Sequence, residues 1–92
     1  MKIYRVYTKN KNYEDILRYL DANFDGYTIF NTVGIWHGIR EKSLCIEIAD
    51  ATIESVEKFA YFLKKHNKQE SVLIQIIDAD IKFIWQAESD MV

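Results

Sequence analysis

From Gly34 to Lys42 the chain reads Gly-Ile-Trp-His-Gly-Ile-Arg-Glu-Lys, gathering an indole, an imidazole, a guanidinium, a carboxylate and an ammonium into one short segment. Trp36 offers a face on which a planar ligand can stack, and His37, Arg40 and Lys42 offer hydrogen-bond donors to an anion. A small anionic or aromatic ligand suits this set, a nucleotide being the plausible case. The same residues also describe a β-hairpin whose tip is solvated by its charges and whose Trp36 packs on the sheet or on a second subunit. Glu47 joins the candidates because it lies mid-strand on the face away from Leu44, Ile46 and Ile48. It points either to solvent or into a cleft between subunits.

Histidine titrates near neutrality, which makes His37 the one candidate general base and leaves a small dimeric enzyme among the readings. No nucleophile, base and orienting group can be named together, so no catalytic residue is assigned. Ser43 and Cys45 are near in sequence, but Cys45 sits in an apolar run, where a thiol behaves as an inert small hydrophobe. Two histidines and a single cysteine at unrelated spacings match no zinc pattern. Asp78-Ala-Asp80 lacks the remaining ligands of a calcium loop and reads as a turn. The phosphate-cradling motifs GxGxxG and GxxxxGK[ST] do not occur. Neither a metal nor a cofactor is expected.

Charge and composition narrow the partners. A net charge of -2 and a pI near 5.6 give no general attraction for nucleic acid or anionic lipid. The basic group Lys64, Lys65, His66 and Lys68, with Lys9 and Lys11 elsewhere, is explained by helix-dipole complementation and solubility. The lone Cys45 cannot form an intrachain disulfide, and no stretch approaches the roughly 18 apolar residues of a membrane helix. The opening Met-Lys-Ile-Tyr-Arg has no signal-peptide apolar region, so the chain reads as unprocessed and cytoplasmic.

The elements that must position these residues follow from periodicity. The chain is 49% hydrophobic and 28% charged, the balance of a folded domain rather than a disordered one. At 92 residues it holds one core, expected over 1–86, with 87–92 a frayed tail. Residues 2–8 are β-branched and aromatic, as in a strand. From Tyr13 the apolar positions Tyr13, Ile16, Leu17 and Leu20 recur at helical spacing, with Asn12 placed to cap, and the helix ends near Asp25-Gly26. Residues 27–36 alternate again and carry apolar side chains on both faces. After the polar segment His37 to Lys42, read as a medium loop, Leu44, Ile46 and Ile48 mark the partner strand. Ile53, Val56, Phe59, Ala60 and Leu63 make a second helical stripe, which Asn67 can end in a left-handed cap. Residues 71–77 form a strand, and 81–85 a further short one.

Strand, helix, strand, strand, helix, strand is the α+β order of a ferredoxin-like βαββαβ plait, with two helices on one face of an antiparallel sheet. The other face cannot be wholly polar here, and a large exposed apolar patch marks an interface. A homo-oligomer, dimer or trimer, is therefore expected, joined through the open sheet face or the last strand.

The runs Gly26-Tyr-Thr-Ile, Gly34-Ile-Trp-His-Gly, Glu41-Lys-Ser43 and Gln69-Glu-Ser-Val72 resemble a group of small uncharacterised bacterial and phage proteins of this plan. More loosely, the architecture is similar to the PII-like signalling proteins. That resemblance implies trimers binding nucleotides at subunit clefts, beneath the loop that corresponds in place to residues 36–42. The loop here is shorter, and the glycine-rich and basic nucleotide-contacting segments of that family are missing. The leading expectation is a non-enzymatic homo-oligomer that binds or sequesters a small ligand, plausibly a nucleotide. An alternative is a protein-interaction module, such as a phage-encoded inhibitor of a host protein.

Overall fold

The computed structural model describes residues 1–84. The chain runs β1 (Lys2–Lys9), α1 (Tyr13–Asn23), β2 (Thr28–Trp36), β3 (Ile39–Ala49), α2 (Ile53–His66) and β4 (Leu73–Asp78). The four strands form one antiparallel sheet in the order β2-β3-β1-β4. This is the α+β plait that the element order predicts.

Alternation along the strands decides which residues meet the helices. Tyr4, Val6 and Thr8 of β1 stand opposite Ile48, Ile46 and Leu44 of β3 and are buried with them. Against this face α1 lays Ile16 and Leu20, and α2 lays Val56, Phe59 and Leu63, all fully buried. An aromatic row, Tyr19 stacked on Phe62 with ring centroids 4.5 Å apart and on Phe59 at 5.4 Å, joins the two helices. Replacing Phe59 by Ala would forfeit about 3–5 kcal/mol, a large part of the stability of so small a domain.

Several local expectations are revised. The polar segment after Trp36 is not a medium loop: Ile39 to Lys42 belong to β3, and the turn is His37-Gly38 alone. Both residues have positive φ, 51° and 77°, the geometry whose twist matches that of the flanking strands. Asn12 sits at the start of α1 in the left-handed region, but its side chain donates to Asn67 Oδ1 at 2.9 Å instead of capping the helix. Asn67 keeps φ at -93°, and Lys68 takes the left-handed position. Asn67 is held there because it is buried and tied to both Asn12 and Gln69. Helix α1 stops at Asn23, one residue before Phe24 turns extended and sets its ring edge-on to Phe59. Residues 81–84 are not a strand, so the additional C-terminal strand is not formed over them; Trp85 and the tail lie outside the described residues. Among the described residues no helix is long and apolar enough to cross a membrane.

Candidate functional site

The β2–β3 hairpin is the feature that stands out from the plait. Pairing of β1 with β3 ends at Lys9 opposite Ser43, whereas β2 and β3 stay paired out to Trp36 and Ile39. The hairpin therefore projects by about four residue pairs, or roughly 14 Å. Its side chains are exposed: Val33 66%, Ile35 63%, Trp36 62% and Ile39 70%. Cross-strand pairing sets Val33 opposite Lys42 and Ile35 opposite Arg40 on the side that continues the helix-covered face. Trp36 and Ile39 lie on the other side, which continues the open face.

The structure thus brings the candidate residues to one hairpin but not to one face. Arg40 and Lys42 share a face, and Trp36 stands on the reverse. His37 occupies the tip, edge-on to the Trp36 ring at 4.8 Å, and no carboxylate or hydroxyl is bonded to it among the described residues. Glu47 is apart from all four, in the body of the sheet. It accepts from Arg5 Nε at 2.9 Å, and this bond, the largest cause, holds the Arg5 guanidinium above its ordinary pKa.

Around that ion pair the open face is banded. One row across the sheet is Phe30, Cys45, Tyr7 and Leu73; the next is Thr28, Glu47, Arg5 and Gln75; the third includes Ala49, Ile3 and Ile77. Phe30 and Leu73 are 46% and 62% exposed, so the open face presents apolar side chains to solvent beside the Arg5–Glu47 ion pair. The Tyr7 hydroxyl is pushed up in pKa, first by its contact with Cys45 and then by burial.

The lysines that are scattered in sequence converge at the root of the hairpin. In this topology β1 and α2 both end there, and α1 begins there. The Asn10 N–H donates to the Lys42 carbonyl at 3.1 Å, and the Gln69 N–H donates to the Lys64 carbonyl at 2.9 Å. Gln69 Oε1 accepts from Thr8 Oγ1 at 2.6 Å and from the Lys9 N–H at 3.3 Å, lacing the ends of β1 and α2 together. Lys9 pairs with Glu41 at 3.8 Å, but Lys11, Arg40, Lys42, Lys65 and Lys68 have no ion pair among the described residues. The opposite end of the fold collects Asp21, Asp25, Asp50, Glu54 and Asp78 at the ends of α1, β3 and β4 and the start of α2. The hairpin-root end also carries Glu14, Asp15, Glu41 and Glu70, so its positive charge is an excess over nearby carboxylates, and at the opposite end Asp78 is paired with Lys2.

A second cluster escaped the sequence reading. The antiparallel helices set the first turn of α1 beside the last turn of α2, and His66 Nε2 lies 2.8 Å from Asp15 Oδ2, with the imidazole stacked on Phe62 at 5.0 Å. The bond to His66, first, and the neighbouring Arg18 hold the Asp15 carboxyl below its usual range. The two residues are 51 positions apart, so only the helix directions, once the plait is inferred, could have paired them. Among the described residues no group of His, Cys, Asp and Glu is arranged to hold a metal ion.

No protein-family model matches the sequence, and no curated protein matches it. Solved structures do share its fold. A DUF3240 family protein from Shewanella baltica OS155 superposes with a TM-score of 0.69 at 14% identity, over 92% of this chain and 96% of that one. CPII, a nitrogen regulatory PII-like protein from Thiomonas intermedia K12 bound to ADP, AMP and bicarbonate, gives a TM-score of 0.65 at 19% identity, over 91% and 94%. The B. subtilis GlnK-ATP complex gives 0.59 at 17%, over 83% and 80%. At these identities the likeness is one of fold: the chain is a plait of the kind found in PII-like proteins.

Proposed function

We propose that this chain is a non-enzymatic, self-associating plait that binds a nucleotide through its phosphates at the root of its projecting hairpin. The observation that carries this reading is the convergence of Lys11, Lys42, Lys65 and Lys68 at one end of the fold, with Arg40 above them and no carboxylate paired to any of the five among the described residues. Cations gathered at one end of a fold without paired carboxylates repel one another, and an anion bound among them relieves that cost. Trp36 stands beyond Arg40 as a stacking surface for a base, reached from a neighbouring protomer because it lies on the reverse of the hairpin. The PII-like proteins that share the fold are described with ADP, AMP and ATP bound, which favours a nucleotide among phosphate ligands.

A thermal-shift series with ATP, ADP, AMP and inorganic phosphate tests it. At a hundred dissociation constants of ligand the folded state gains about 2.7 kcal/mol, which raises the Tm of a domain this size by roughly 10 °C or more. Lys42→Ala combined with Lys68→Ala is expected to remove most of that shift. No shift from any of the four ligands sinks the proposal. If the protein instead captures one stoichiometric protein partner and keeps it after Trp36→Ala and Arg40→Ala, the interaction-module reading replaces this one.

A further inference from the structure

Two side-chain contacts tie the start of α1 to the end of α2. In the inner one, Asn12 Nδ2 donates to Asn67 Oδ1 at 2.9 Å; it is partly buried and has no titratable group. In the outer one, His66 Nε2 lies 2.8 Å from Asp15 Oδ2, and the two side chains are 39% and 42% exposed. Protons from solvent therefore reach the outer contact and leave the inner one unchanged.

The imidazole is held for this exchange. Its ring stacks on Phe62, which stacks in turn on Tyr19 of α1, so the ring edge stays aimed at Asp15. From α1 the ring shares its groove with Asp15, Arg18 and Tyr19, and Lys11 and Glu14 flank the helix start. Along its own segment the charged neighbours are Lys64, Lys65 and Lys68, all exposed. Arg18 and the lysines oppose a positive imidazole, whereas Asp15 and the carbonyl end of α2 favour one. The lysines lie in water, where salt screens them, but Asp15 is in direct contact.

We propose that Asp15 and His66 form a proton-operated latch between the helices, an ion pair when the imidazole is protonated and a neutral hydrogen bond when it is not. The ion pair is present below the free imidazole value of about 6.5 and is lost as pH rises through the histidine range. Asp15 stays ionised on the acid side, because His66, first, and Arg18 hold its carboxyl below the usual range. Lys11 leads into α1 and Lys65 and Lys68 flank the end of α2, so the latch clamps the segments that carry the cationic root. Resting on the function proposed above, its consequence is tighter nucleotide binding at mildly acidic pH.

His66→Gln tests the latch, since an amide keeps a neutral donor beside Asp15 and removes only the charge. Melting of the ligand-free chains is compared at one protein concentration, at pH of about 5.5 and about 8.5. The native chain is expected to melt roughly 1–8 °C above His66→Gln at the lower pH and together with it at the higher. With Asp15→Asn in both chains, that advantage is expected to vanish or reverse, because the lysines then act unopposed. A difference that ignores pH, one that survives Asp15→Asn, or a native chain less stable than His66→Gln at the lower pH overturns the latch. ATP titration of the native and His66→Gln chains reads the consequence, since His37 and the phosphates titrate alike in both. The native chain is expected to bind about fivefold or more tightly than His66→Gln at the lower pH, and equally at the higher. Equal affinities at both overturn the link to the root; no ATP binding by either chain defeats the ligand reading, while the melting comparison still decides the latch.

Discussion

Tyr27 donates its hydroxyl to the Asp21 carboxylate across the end of α1, and that bond, reinforced by partial burial, pushes its pKa up to about 12. The folded chain therefore holds the phenol proton more tightly than the unfolded chain does. The contact stabilises fully below the unfolded value near 10 and is lost as pH rises through about 12. A phenolate absorbance titration is expected to contain a late-ionising component that is lost in Tyr27→Phe and shifted down in Asp21→Asn; a Tyr27→Phe curve identical to the native one contradicts it. The residues at the hairpin obey the same logic of partners. The sequence marks Trp36, His37, Arg40, Lys42 and Glu47 as chemically capable, and their identities are legible because residue type alone carries them. Which of them share a face is set by the pairing of Ile35 with Arg40 and Trp36 with Ile39, and a reading that ends the strand at Trp36 cannot yield it. Glu47 looks free in sequence because its partner Arg5 is 42 positions away.

The hairpin is also where element-level reasoning gains most from structure. Buried strands announce themselves by alternation, and Leu44, Ile46 and Ile48 do so; Arg40, Glu41 and Lys42 do not, because a projecting ribbon has water on both sides and no face that must be apolar. The turn escaped for a related reason: His37 supplies the first positive φ of a pair usually written Asn-Gly or Asp-Gly. Gly38 supplies the second, at 77°, in open space where an added methyl group meets nothing. Gly38→Ala therefore isolates the backbone term. It is expected to cost about 1–2 kcal/mol and to lower the Tm by roughly 4–16 °C, while His37→Asn, better suited to the left-handed region, is neutral or stabilising. A Gly38→Ala protein melting with the native chain contradicts the turn. The helices were legible for the opposite reason, since each buries one stripe; even so, the Asn12 cap was misread because the side chain has a better partner in Asn67, visible only once α1 and α2 lie antiparallel.

At the scale of the molecule, the exposed apolar surface and the small core belong together. A chain of this length buries only about 60–65% of the surface it exposes when unfolded, while Phe30, Val33, Ile35, Trp36, Ile39, Leu73 and Ile76 remain largely in water in the single copy. If association covers them, the folding equilibrium includes protein concentration. For a dimer or trimer, a tenfold rise in concentration adds (n-1)/n of the tenfold free-energy increment of about 1.4 kcal/mol, that is about 0.7–0.9 kcal/mol per protomer. In a domain of this size that converts to a Tm increase of roughly 3–7 °C per decade. Scanning calorimetry between about 5 and 500 µM is expected to show that slope in the native chain. A native Tm that ignores concentration means that the plait is stable alone, and the apolar hairpin then requires another occupant.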